Sequence, residues 1–164
     1  MGKSEMRGGE ILLEVDPGAQ GDASVAFIGV LRSDWQKGDC PRNIRQSRER
    51  GGGNARIELK PGYAAALAGL TVGQAIWVLT WMDRSRRDLA LQSPAHADGP
   101  RGTFSLRSPA RPNPVAMSAV RITALDISSG VIGIDATDAF DGTPVIDLKP
   151  WIETVDIPPG ELPG

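Results

Sequence analysis

Eight residues, AIWVLTWM from Ala75 to Met82, form a nearly continuous apolar run between polar flanks. Its length and its boundaries predict a buried, central strand. No apolar run in the chain approaches the roughly 20 residues that cross a bilayer, so no membrane partner is expected. Other short runs repeat the signal: Glu10–Val15, Val25–Leu31, Ala55–Leu59, Gly102–Leu106, Val115–Ile127 with a bend, Val131–Ala136 and Val145–Leu148. The first two flank a Pro17–Asp22 turn region and read as a hairpin or as neighbouring strands. Pro61–Leu70 (PGYAAALAGL) is the best helix candidate, with Pro at its start, an Ala run and Gly69 at its end. Arg32–Asn54 and Arg84–Pro100 are polar and read as loops, the second with a possible helical turn at Arg86–Gln92.

Strands dominate, and the βαβ alternation of a doubly wound sheet is missing. The expected fold is therefore all-β: an antiparallel β-barrel-like core with one short helix. A chain of 164 residues fits a single core. The expected organisation is an N-terminal extension with a possible extra strand (1–24), a barrel domain (25–157) and a loose Pro/Gly-rich tail (158–164). The first ten residues are polar and lack the apolar segment of a secretion signal. Cys40 is the single cysteine, which excludes an internal disulfide and suits a reducing cytoplasm; His96 is the single histidine, so no metal site is expected.

A net charge of −2 conceals an asymmetry. Arg42, Arg45, Arg48, Arg50 and Arg56 crowd one stretch, while after Arg121 the only basic residue is Lys149, set against eight acidic ones. Two readings stand side by side: a basic surface for an anionic partner, or a loop whose arginines are solvated or pair internally.

Three segments can carry chemistry. Arg107–Ser118 (RSPARPNPVAMS) holds Pro109, Pro112 and Pro114, which fix φ and remove backbone donors. A loop so stiffened loses little entropy when it orders around a ligand, although a rigid connector would look the same. Asp138–Trp151 (DAFDGTPVIDLKPW) combines an Asp-Gly turn with three aspartates beside one lysine. That field favours a sulfonium or an amino group; ordinary turn chemistry also explains the Asp-Gly pair. Cys40–Arg45 (CPRNIR) offers directed donors on a Pro-stiffened loop. Gly51–Gly53 is no dinucleotide fingerprint, because no strand and helix bracket it correctly.

Taken together, Pro41-Arg42-Asn43, RSPARPNPVA and DGTPVIDLKPW resemble the TsaA-like (YaeB-like) family of tRNA threonylcarbamoyladenosine N6-methyltransferases, over roughly Val25–Asp156. The resemblance implies a homodimeric barrel that binds S-adenosylmethionine without a Rossmann fold, with tRNA as substrate. Carried over by motif, the donor-binding positions are Pro41, Arg42, Asn43, Asp83, Arg84, Arg107, Met117, Asp141, Gly142, Thr143 and Pro144. Arg111 and Asn113 are expected to shape their loop or the tRNA-facing rim. Asn43 stands where the family pattern has Gln, Asp83 where it has His, Ala116 where it has Gly and Trp151 where it has Tyr. No general base is assigned among Asp83, Asp138 and Asp141. The rival expectations are a non-catalytic donor-binding or regulatory module, and a methyltransferase for another RNA or a small molecule.

Overall fold

The computed structural model describes residues 5–95 and 97–161; His96 and the last three tail residues lie outside that range. In chain order the elements are β1 (Ile11–Leu12), β2 (Gly29–Arg32), α1 (Ile44–Glu49), β3 (Arg56–Leu59), β4 (Ala75–Trp81), β5 (Leu89–Gln92), β6 (Arg101–Gly102), β7 (Val115–Asp126), β8 (Val131–Ile134), β9 (Pro144–Pro150) and α2 (Glu153–Asp156). Two compact units result, one of Met1–Val25 with Trp81–Ala116, the other of Ala26–Thr80 with Met117–Gly164.

The larger unit is built on a closed antiparallel barrel in the order β2-β3-β8-β7-β4-β9, with β9 returning to β2. Closure leaves no strand edge exposed. Side chains alternate across each strand, so the inward row is apolar: Leu31 from β2, Ile57 from β3, Ile76 and Val78 from β4, Ile122 from β7, Ile132 and Ile134 from β8, Val145 from β9. The apolar run at Ala75–Met82 is therefore a barrel strand, as its length predicts. It looks continuous in sequence because its outward residues, Trp77 and Leu79, are half-buried as well. Gly29 sits where β2 meets β3, and a Cβ there would lie 2.5 Å from the Glu58 carbonyl oxygen. The antiparallel barrel expected from the sequence is the observed architecture.

The smaller unit carries a three-stranded sheet in the order β1-β5-β6. Arg86 bonds Asp88 and reaches Glu10, whose side chain is 8% exposed. The hydrogen bond to Asp88 raises the Arg86 pKa, so its guanidinium stays charged. The Pro-rich loop is fixed here by donors from its own unit. Arg111 donates to the Leu106 and Ser108 carbonyls, Gln92 to Ala110, and Arg87 to Pro112 and Asn113. Prolines had removed donors from this stretch, and side chains of Arg87, Gln92 and Arg111 serve the Pro112, Ala110 and Ser108 carbonyls.

Several local expectations change. The predicted helix at Pro61–Leu70 is only a 3-10 turn at Ala64–Leu67. Gly62 and Gly69 both adopt positive φ, and Leu67 alone is buried, so no apolar face holds a longer helix. The segments before and after Pro17–Asp22 do not pair with each other: β1 joins β5, and β2 joins β3 and β9. Ile11 and Leu12 are about half exposed and belong to no core. Arg86–Gln92 ends in a strand rather than a helical turn, and the run at Gly102–Leu106 becomes a 3-10 turn at Thr103–Ser105. Arg32–Asn54, read as loop, contains α1.

That helix has complete ends. Asn43 caps it by accepting from the Gln46 amide, while the Gln46 side chain accepts from the Arg42 amide, a variant of the reciprocal capping box. At the other end the Gly51 amide donates to Arg48 and the Gly52 amide to Ser47, the two bonds of a Schellman motif. Gly51, Gly52 and Gly53 all have positive φ. The triple glycine is a helix stop followed by two close backbone approaches.

Candidate donor-binding site

Within the barrel unit, Ser33–Ser47 lies zipped against Thr137–Asp141. The Ser33 amide donates to Asp141 Oδ1 at 3.2 Å and the Asp141 amide to the Trp35 carbonyl at 2.9 Å. Ser33 Oγ donates to Ala139 O and Trp35 Nε1 to Thr137 O. Cys40 Sγ donates to Asp138 O at 3.2 Å, and the fully buried Ser47 donates to Thr137 O at 2.6 Å. Two of the motif segments, Pro41–Asn43 and Asp141–Pro144, thus sit on adjoining stretches of backbone joined by these bonds.

The turn itself is fully determined. Its Gly142 amide donates to Leu31 O, its Thr143 amide and hydroxyl both donate to Phe140 O, and the Leu31 amide returns a bond to Thr143 O. Gly142 has φ +81° and open space where a Cβ would stand. The amides of Asp141, Gly142 and Thr143 and the carbonyls of Phe140 and Thr143 all serve the fold, which leaves the half-buried Asp141 carboxylate as the turn's charged group. Arg32 approaches that carboxylate at 3.7 Å but bonds Glu58 more closely, at 3.0 Å. The Arg32 and Arg56 guanidiniums hold the Glu58 carboxyl below its ordinary range. An acidic turn suits a cationic or amino-bearing ligand.

Asn43 has a structural duty that the sequence reading did not assign. Asn is among the strongest N-caps and Gln is not, so the shorter amide at this position fits the cap of α1. Pro41 is buried, whereas Arg42 is exposed. Met117, 44% exposed, belongs to β7 in the same unit. Asp83, Arg84 and Arg107 are exposed residues of the smaller unit.

The arginine-rich stretch pairs largely with its own carboxylates. Arg45 meets Glu49, Arg48 meets Asp135, Arg50 meets Asp39 and Arg56 meets Glu58. Of the two readings of this stretch, internal pairing describes most of it. Arg42 has no ion pair among the described residues.

Sequence reasoning missed Ser33, Trp35 and Ser47. A lone Trp in a polar loop was the available signal for Trp35; nothing distinguishes Ser47 from a solvated helical serine. Cys40, by contrast, is held as a thiol. Burial, and then the nearby Asp138, push its pKa from 9.0 to about 11. At pH 8 its thiolate fraction, and hence its alkylation rate, should fall on the order of a hundredfold below a free cysteine. Iodoacetamide kinetics on native and urea-unfolded protein check this, with the ordinary rate returning on unfolding. Among the described residues no three His, Cys, Asp or Glu side chains form a group able to hold a metal ion.

The barrel and its loops define a class: a small antiparallel barrel whose candidate ligand contacts lie on loops, not on a βαβ crossover. Residues 30–157 match the family described as the tRNA-methyltransferase O N-terminal domain, and the chain belongs to that family. It is 36% identical over 132 residues to the probable S-adenosyl-L-methionine-binding protein VirR of Rhizobium radiobacter, covering 80% of this chain and 72% of that protein. A tRNA (adenine(37)-N6)-methyltransferase of Eikenella corrodens is 39% identical over 64 residues, 38% of this chain and 36% of the relative. The crystal structure of TrmO from Pseudomonas aeruginosa superposes with a TM-score of 0.64 at 26% identity, covering 84% of this chain and 60% of that one. The chain thus spans less than two thirds of the TrmO chain's length.

Proposed function

We propose that this protein is an S-adenosylmethionine-dependent methyltransferase acting on N6 of threonylcarbamoyladenosine in tRNA. The observation that carries the reading is that residues flanking Pro41–Asn43, Cys40 bonded to Asp138 O and Ser47 bonded to Thr137 O, set this motif segment beside the stretch that leads into Asp141–Pro144. Membership of the tRNA-methyltransferase O family supports it, as do the donor-binding and tRNA-methylating relatives.

The residues fit the donor chemically. S-adenosylmethionine, when bound, supplies a methyl group on a sulfonium. In this reading the Asp141 carboxylate stabilises positive charge, and the exposed Arg42 guanidinium offers a partner for a carboxylate. The capped helix and the zipped loops keep those groups in place before the donor arrives, which limits the entropy lost on binding. Rate enhancement in such a transfer comes mainly from alignment of two reactants. The motif-derived donor roles of Asp83, Arg84, Arg107 and Met117 are tested by alanine variants of each.

We further propose a homodimer, tested by sedimentation velocity, and residence in the cytoplasm, where an uncrosslinked Cys40 is stable.

Transfer of labelled methyl groups to bulk tRNA, compared with tRNA from cells lacking the threonylcarbamoyl modification, tests the activity. Label in modified tRNA alone is the expected result. One observation favours a second reading. With Arg45, Arg48, Arg50 and Arg56 all engaged by carboxylates, this stretch has little charge to spend on phosphates. A donor-binding module, or an enzyme for a smaller acceptor, fits that pairing. Tight donor binding with no label in either tRNA pool would select it.

A further inference from the structure

Arg50 occupies an unusual position for a surface arginine. It is the C-cap of α1, and its guanidinium lies 4.5 Å from the centre of the Trp35 ring. From there Nη2 donates to Asp39 Oδ1 at 2.7 Å and Nη1 to the Asp39 carbonyl at 2.9 Å. The indole beneath it is 5% exposed and donates to Thr137 O at 2.7 Å. It also packs on Gly53 so closely that a Cβ there would meet the ring at 2.4 Å. Asp39 immediately precedes Cys40, bonded to Asp138 O, and then Pro41–Asn43.

We propose that Arg50, seated on Trp35 and forked onto Asp39, is a positioning residue that locks the Pro41–Asn43 loop in its donor-binding conformation. The proposal rests on the donor reading above and adds a residue to it that does not itself touch the donor. The geometry explains why both ends of α1 matter: Asn43 begins the helix, and Arg50, at its other end, holds Asp39 at the start of the segment that leads to Asn43. The loop is thereby closed on itself over the indole. Arginine is required, because only a planar guanidinium can stack on the ring while its fork engages a backbone and a side-chain oxygen together.

The ion pair is exposed on the Asp39 side, at 73%, and exposed pairs add little to global stability. The clamp should therefore act on the loop rather than on the fold. Arg50→Met and Asp39→Ala are expected to lower Tm by no more than about 3 °C, since an exposed pair adds little to the stability of a chain of this size. Donor Kd should rise about tenfold, with turnover at saturating donor within twofold of wild type. Combining the two should be no worse than Arg50→Met alone, as expected of residues in one interaction. Arg50→Lys should recover only part of the affinity.

Hydrogen exchange of the amides of Asp39, Cys40, Arg42 and Asn43 in the donor-free protein supplies an independent readout. Faster exchange in Arg50→Met supports the clamp. Unchanged exchange, or unchanged donor affinity where the wild type binds, overturns the clamp and leaves the donor reading intact. A wild type that binds no donor overturns the donor reading, and the role assigned to Arg50 falls with it.

Discussion

Gly52→Ala is expected to be among the most damaging single-methyl additions in this protein, lowering stability by about 3 kcal/mol and Tm by roughly 10 °C. Two effects add. Gly52 has φ +79°, a conformation that costs an L-residue about 1–2 kcal/mol. The added Cβ would also stand 2.1 Å from the Asp135 carbonyl oxygen and 3.1 Å from its carbon. Those are backbone atoms just past β8, so no rotamer change relieves the overlap. Gly51→Ala is the matched control: it has φ +83° but open space at the Cβ position, so only the conformational part, about 1 kcal/mol, should appear. Thermal melts of the two variants check the difference. Equal losses would mean that the helix stop alone, and not the approach to Asp135, dictates glycine at position 52.

Asp141→Ala should produce the largest loss in donor affinity, about thirtyfold or 2 kcal/mol, the scale of a hydrogen bond to a charged group. Removing this carboxylate takes away an acceptor for the Ser33 amide at 3.2 Å. It also leaves Arg32, 3.7 Å away, as a positive charge beside the place proposed for a cation. Asp141→Asn separates the two roles. It keeps an oxygen for Ser33 and removes the charge, so it should recover stability more than affinity. Calorimetric titration and thermal melts of both variants supply the measurements; affinities equal to wild type would remove the turn from the site.

The barrel was readable from the chain because its strands are short, apolar and separated by turn residues, as at Ala75–Met82 and Val131–Ala136. What was not readable followed from pairing over distance. Nothing local says that β1 joins β5 while β2 joins β9. The Ala-rich run at Pro61–Leu70 carried high helix propensity, yet one buried leucine could not stabilise a full helix. For α1 the reverse held. Its apolar content is slight, and its signals were the ends: Asn43 with Gln46, then Gly51 and Gly52. The motif residues were legible as a set, whereas the side chains that hold them, Ser33, Trp35, Ser47 and Arg50, act through carbonyl groups and stacking that leave no residue pattern. The arginine-rich stretch shows the same limit, since its carboxylate partners include Asp135, far away in sequence.

The central claim is that the zipped loops of the barrel unit hold S-adenosylmethionine. Isothermal titration of the purified chain with this donor, run beside Asp141→Ala, tests it most directly. The account predicts saturable binding of one donor per chain and a loss of about thirtyfold in the variant. No heat and no thermal stabilisation at millimolar donor in the wild type would contradict it.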